Sequence, residues 1–259
     1  MNTNPRPSCG VPTQGLGPGG MAIKVGVMGG ASDIALPEHM EKAHALGRVV
    51  AARGCVLVTG ACPGLPLAAA CGAKQAGGLV VGVSPGVSLD EHLGKYASPT
   101  AFHDVLIYTG SGLMGREVIN VRTSDVVVIV GGRSGTLGEL AIAYDEGKLI
   151  GVLTGTGGIS GLVADILAAC GKDTGSRVVY ETDPERLVDE LLRLHPMPPA
   201  PPGPGGVVVT EPTVEDPVCR MRILPQAAAA ERVRDGTRYW FCSRACAERF
   251  DAGQPADRV

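Results

Sequence analysis

Five consecutive β-branched residues, Val126 to Val130, leave no polar position between them. A strand with no wet face is buried on both sides, as in a parallel sheet. Less uniformly apolar runs of similar length recur at 23–28, 55–59, 79–83, 104–108, 149–153 and 177–180. Between them apolar residues return at helical spacing over 39–53, an Ala-rich stretch ending near Gly77-Gly78, 113–123, 136–147, 159–169 and 184–194. Strands and helices alternating at these lengths predict an α/β fold, a doubly wound parallel sheet. One irregular stretch, 87–103, interrupts the rhythm, and loops of that length often cover a site.

Glycine-rich turns follow four of the strands, at 29–33, 60–64, 131–136 and 154–158. In a doubly wound sheet every βα loop lies at the carboxyl edge, so these four are expected to converge on one crevice. Glycine leaves backbone amides open, and a helix N-terminus adds a favourable dipole, which together suit a phosphate. The candidate phosphate and nucleotide contacts are Gly29, Gly30, Ser32, Gly60, Gly131, Gly132, Ser134, Gly135 and Thr136, with Ser134 or Thr136 able to cap the helix that follows. No dinucleotide fingerprint and no Walker Gly-Lys-Thr accompanies them, which favours a mononucleotide.

Composition narrows the partners. A net charge of −3 over 259 residues makes no electrostatic case for nucleic acid or an anionic membrane. Aromatics are scarce, at 3%, so the core has to be Val, Leu, Ile and Ala. No apolar run reaches the roughly 18 residues that a spanning helix needs. Residues 1–20, rich in Gly and Pro, lack the apolar stretch of a signal peptide and read as a disordered tail. The eight cysteines are unevenly spaced, which points to a reduced, cytoplasmic chain rather than a disulfide scaffold.

The stretch Gly131-Gly132-Arg133-Ser134-Gly135-Thr136-Leu137-Gly138-Glu139 resembles the Gly-Gly-x-Gly-Thr-x-x-Glu motif of the LOG (lonely guy) family. Arg116, nine residues before Asp125, falls where that family has its catalytic arginine. The resemblance covers roughly residues 22–193 and extends to the nucleotide-binding domain of the DNA-processing protein DprA. It implies a homodimer or higher homo-oligomer that hydrolyses the N-glycosidic bond of an AMP-like nucleoside 5′-monophosphate to free base and ribose 5-phosphate, with no cofactor required. Arg116 would then hold phosphate or ribose, and Glu139 would orient or deprotonate water attacking an oxocarbenium-like centre. Three positions depart from the pattern. Arg133-Ser134 replaces a single residue, Val130 stands in place of a frequent Pro, and Glu117 stands where the hydrolases usually carry Lys.

Six prolines among residues 195–206 preclude helix and sheet, so 195–213 reads as a semi-rigid linker between a nucleotide-binding domain at 21–194 and a small α+β domain at 214–259. The latter has cysteines spaced C-x22-C-x3-C. Cys242 and Cys246 share one helix face, and Cys219 can close on them from a turn, giving three thiolates suited to Zn(II) or Cu(I). Asp216-Pro217-Val218-Cys219-Arg220-Met221 and Tyr239-Trp240-Phe241-Cys242-Ser243-Arg244-Ala245-Cys246 resemble the YHS domain, related to the TRASH domains, which implies heavy-metal binding, sensing or trafficking. Two function classes follow. The first is a phosphoribohydrolase with a metal-binding appendage. Its rival is a non-catalytic nucleotide or cofactor sensor or carrier on the same fold, regulated by metal at Cys219, Cys242 and Cys246.

Overall fold

The computed structural model describes residues 21–31, 36–195, 214–219, 222–223, 225 and 228–252. The expected tail, most of the expected linker and Ser32 lie outside them. The chain runs β1 (Lys24–Gly29), α1 (Pro37–Ala52), β2 (Val56–Thr59), α2 (Leu65–Gln75), β3 (Val80–Ser84), β4 (Val105–Tyr108), α3 (Gly112–Thr123), β5 (Val126–Val130), α4 (Ser134–Asp145), β6 (Leu149–Leu153), α5 (Val163–Cys170), β7 (Arg177–Glu181) and α6 (Pro184–Leu194). These seven strands form one parallel sheet in the order β4-β3-β2-β1-β5-β6-β7. The doubly wound expectation is therefore met. The order reverses between β1 and β5, which makes their carboxyl ends the switch point where such sheets open a crevice.

The continuous apolar run of β5 explains its place at the centre. Val126, Val128 and Val130 pack with Leu46, Val50 and Leu187 on the face covered by α1, α2 and α6. Val127 and Ile129 pack with Val121, Leu140 and Leu167 on the face covered by α3, α4 and α5. On the first face α1 and α2 meet backbone to backbone. A Cβ on Gly47 would overlap the Ala69 carbonyl, and one on Gly72 the His44 carbonyl. Alanine gains about 1 kcal/mol of helix propensity over glycine, whereas overpacking a rigid contact costs about 1–3 kcal/mol or more. Gly72→Ala should therefore lower stability, by about 1–2 kcal/mol net. A urea-unfolding midpoint equal to or above that of the native chain would refute the close helix contact.

Three local expectations change. Neither Ser134 nor Thr136 caps α4, because the helix already begins at Ser134 and Arg133 is its N-cap, with no capping side chain. Positive φ at Gly131 and Gly132 turns the chain into the helix early, and Thr136 sits over Gly132 instead. The helix expected at 159–169 divides into a 3-10 turn, Gly158–Gly161, and α5. Its first turn is held to the β5–α4 loop by the Ile159 amide donating to the Gly132 carbonyl at 3.0 Å. The stretch 87–103 contains a π-helical turn, Glu91–Lys95, pinned to the sheet edge by buried His92. That imidazole pairs through Nδ1 with Ser84 Oγ at 2.9 Å and through Nε2 with the Pro99 carbonyl at 3.1 Å. The stretch contributes no residue to the switch-point cavity.

The carboxyl-terminal segment has its own small elements: β8 (Val214–Glu215) paired with β9 (Arg222–Ile223), the antiparallel pair β10 (Ala230–Arg234) and β11 (Thr237–Phe241), and α7 (Arg244–Asp251). Among the described residues its core is small, with Val218, Phe241, Cys246 and Ala247 buried and Tyr239 and Phe250 packed against them. A core this limited needs a staple in a domain of under about 50 residues.

Candidate functional site

At the switch point a cavity of about 360 Å³ opens between the ends of β1 and β2, helix α3 and the start of α4. The β1 end contributes Gly29, Gly30 and Ala31, and the β2 end contributes Gly60 and Cys62. Arg133, Ser134, Gly135 and Thr136 come from the amino end of α4, and its second turn adds Glu139. Because α4 has no capping side chain, the amides of its first turn are left for solvent or a ligand, and its dipole favours an anion there.

Two predicted contacts play a different part. Gly131 and Gly132 are not in the cavity wall. The Gly131 amide is already spent on Thr156 Oγ1 at 2.9 Å, and Thr156 in turn donates to the Leu153 carbonyl at 2.6 Å. The loop at 154–158 therefore braces the β5–α4 turn from behind and does not join the crevice, so three of the four expected loops converge there rather than four. Helix α3 takes the fourth side, through Leu113, Arg116 and Glu117.

Arg116 and Glu139 come together as the sequence led us to expect, but as a buried pair, 7% and 5% exposed. Arg116 Nη1 lies 3.5 Å from Glu139 Oε1. The guanidinium fits only because residue 60 is glycine, since a Cβ there would overlap Nη1. Asn120 Nδ2 donates to the same Glu139 oxygen at 3.4 Å. Burial pushes the Glu139 carboxyl up to about 7, against the pull of Arg116 and with a further push from Glu117. Burial also raises Glu117, again opposed by Arg116. The Cys62 thiol, in the wall of the cavity, is pushed up to about 11 by burial and stays a thiol at neutral pH. Glu117, Asn120 and Cys62 had no assigned role in the sequence reading. Asn120 lies one turn from Arg116 on α3, a spacing that places two side chains on one face, and this was the signal available for it.

In the carboxyl-terminal segment Cys219, Cys242 and Cys246 do meet, but not through a shared helix face, because α7 begins at Arg244 and Cys242 precedes its N-cap. Cys242 Sγ is 3.4 Å from Cys219 Sγ and 3.6 Å from Cys246 Sγ. With Asp216 the ligand atoms all lie within 4.8 Å of one another. Zn–S bonds of about 2.3 Å in a tetrahedron separate sulfurs by about 3.8 Å, so small adjustments would seat a soft metal on this donor set. Asp216 is fully buried and faces inward. Its Oδ1 accepts from the Val218 amide at 2.8 Å and its Oδ2 from the Cys242 amide at 2.8 Å. It thus ties the Cys219 turn to the end of β11. Ser243 caps α7 by accepting from the Cys246 amide at 3.2 Å, which fixes the third sulfur on the first turn.

These features agree with the relatives. Residues 22–188 match the SLOG cluster4 family, and residues 214–255 match the YHS domain. The chain belongs to the SLOG cluster4 family and carries a YHS domain behind its doubly wound domain. An uncharacterised protein of Archaeoglobus fulgidus is 38% identical over 132 residues, 51% of this chain and 80% of that protein. Among solved structures, a molybdenum cofactor binding protein from the bacterium Rippkaea orientalis is 30% identical, with a TM-score of 0.56, covering 66% of this chain and 96% of its own. The molybdenum cofactor carrier protein of Chlamydomonas reinhardtii is 31% identical, with a TM-score of 0.52, covering 66% of this chain and 99% of its own.

Proposed function

We propose that the doubly wound domain binds and carries a phosphorylated heterocyclic cofactor of the molybdenum-cofactor kind, and that the YHS domain holds a soft metal ion on Cys219, Cys242 and Cys246. The observation that carries the first part is the likeness, at 30% and 31% identity over nearly their whole length, to two proteins named for binding or carrying that cofactor. The crevice is consistent with it. The uncapped start of α4 suits a phosphate. Pro66 and Leu113 add apolar surface to its lining, which suits a ring system. The cation that the resembling hydrolases place after Arg116 is replaced here by the carboxyl of Glu117. This reverses the order of the two function classes drawn from the sequence.

One observation favours the hydrolase reading as runner-up. A buried carboxyl near pH 7 beside an arginine, as at Glu139, is suited to moving a proton to a leaving base. The two readings part in a single assay. Purified full-length chain is incubated with molybdenum cofactor released from a molybdoenzyme, and separately with AMP and GMP. Stoichiometric retention of cofactor, read as pterin fluorescence after oxidation, with no free base from either nucleotide, is the expected result. Catalytic release of adenine or guanine would overturn the carrier reading.

The proposed organisation places domains at 21–194 and 214–259, joined by 195–213. Self-association of the first domain is supported by the exposed apolar edge strand β4, with Val105, Ile107 and Tyr108 in solvent.

A further inference from the structure

Among the described residues, one buried carboxyl in the crevice has no ion-pair partner. Glu117 is 6% exposed and lines the cavity, and its Oε2 is buried with no donor among the described residues. The carboxyl lies against the first two turns of α4, where two glycines make room for it. A Cβ on Gly135 would stand 3.2 Å from Oε1 and one on Gly138 2.9 Å from Oε2. Its neighbour Arg116 is turned to Glu139. One turn along α3, Asn120 Oδ1 is also buried without a donor among the described residues. Acceptors withdrawn from water and left unpaired are costly, and a binding site is where such a cost is offset by the ligand.

We infer that Glu117 reads the N–H edge of an aminopyrimidinone ring, the edge that pterins share with guanine, in the ligand of this crevice. The inference rests on the carrier reading for the presence of a phosphorylated heterocycle and names the chemistry that selects it. Turned from α4 toward the cavity, the Glu117 carboxylate would accept two parallel hydrogen bonds from a ring N–H and the exocyclic amine beside it, as a carboxylate does from a guanidinium. Adenine offers one donor beside a ring nitrogen acceptor, which would face a carboxylate oxygen lone pair to lone pair. A buried site built to receive donors rejects a ligand that lacks them more strongly than an apolar pocket rejects a missing methylene.

Calorimetric titrations of the full chain in EDTA with GMP, AMP and neopterin monophosphate test this. GMP and the pterin phosphate should bind about tenfold or more tighter than AMP. Glu117→Gln should weaken GMP and tighten AMP, because a carboxamide pairs with adenine through one donor and one acceptor. Gly138→Ala, which displaces the carboxyl while favouring the helix, should narrow the preference too, and it serves where Glu117→Gln fails to fold. Equal affinity for GMP and AMP in the native chain overturns the inference. So does a preference that a folded Glu117→Gln leaves unchanged, and so does failure of all three probes to bind. The carrier reading fails separately: free base released while the GMP preference still depends on Glu117 would remove the carrier and leave this recognition standing.

Discussion

Glu139→Gln should be more stable than the native chain at about pH 8, by on the order of 3 kcal/mol, and should match it near pH 4.5. Burial raises the Glu139 carboxyl from 4.5 to about 7, so the folded protein holds this proton more tightly than the unfolded chain does. A raised carboxyl gives stability that is fully present below the unfolded value and is lost as pH climbs through the folded one. The native chain should therefore lose stability between pH 4.5 and about 7 on account of this residue, with about 1.4 kcal/mol for each pH unit of separation. Below that window the native Glu139 is already neutral, which is why a neutral amide changes little there. Arg116 is then left facing a neutral partner in both proteins, so its own cost cancels from the comparison. Glu117, raised in the same direction, adds to the native slope but is common to both chains. Urea unfolding at the two pH values measures the difference. A glutamine variant equal to or weaker than the native chain at pH 8 would mean that Arg116 outweighs burial and that the pair is net stabilising.

The same variant separates the two function classes. A carrier should keep cofactor affinity within a few fold, because phosphate and ring contacts lie elsewhere in the crevice. A hydrolase would lose turnover by about 10²-fold or more with its proton-transferring group.

What could be read from the sequence follows from which interactions are local. Val126–Val130 announces a central strand because burial on both faces shows directly as an apolar run, and its five residues are all buried. The pairing of Arg116 with Glu139 was foreseeable only through the family resemblance, since α3 and α4 are brought side by side by packing on one face of the sheet. Thr156 could not be assigned, because its role as a brace depends on β6 lying next to β5 and on the Gly131 amide turning toward it. Glu117 showed only as a reversal of charge. Its seclusion depends on Gly135 and Gly138 on the neighbouring helix, whose lack of side chains matters only once α3 lies across them. The cysteine trio was readable from spacing, whereas Asp216 was visible in the motif but had no role until its hydrogen bonds across the β11 end were seen.

Cys242→Ser should remove tightly bound metal from the YHS domain and unfold it, leaving the doubly wound domain in place. Cys242 is the middle sulfur of the three, within 3.4 Å of Cys219 and 3.6 Å of Cys246, so its loss takes away both close sulfur pairs at once. A hydroxyl is a poor ligand for a soft ion, and metal binding to a small apo-unfolded domain is itself the folding free energy, about 10–16 kcal/mol for structural zinc sites. The apolar core here, Val218, Phe241, Cys246 and Ala247 among the described residues, cannot replace a contribution of that size. Asp216→Ala probes a different role. The carboxylate orders the Val218 and Cys242 amides around the sulfurs, and loss of such supporting hydrogen bonds weakens metal binding by about 10–100-fold without abolishing it. Metal content after dialysis, with Zn(II) and Cu(I) affinities from chelator competition, should rank native above Asp216→Ala above Cys242→Ser. Asp216→Ala falling as far as the cysteine variant would make the carboxylate a direct ligand, and full metal content in Cys242→Ser would take the three-thiolate site away altogether.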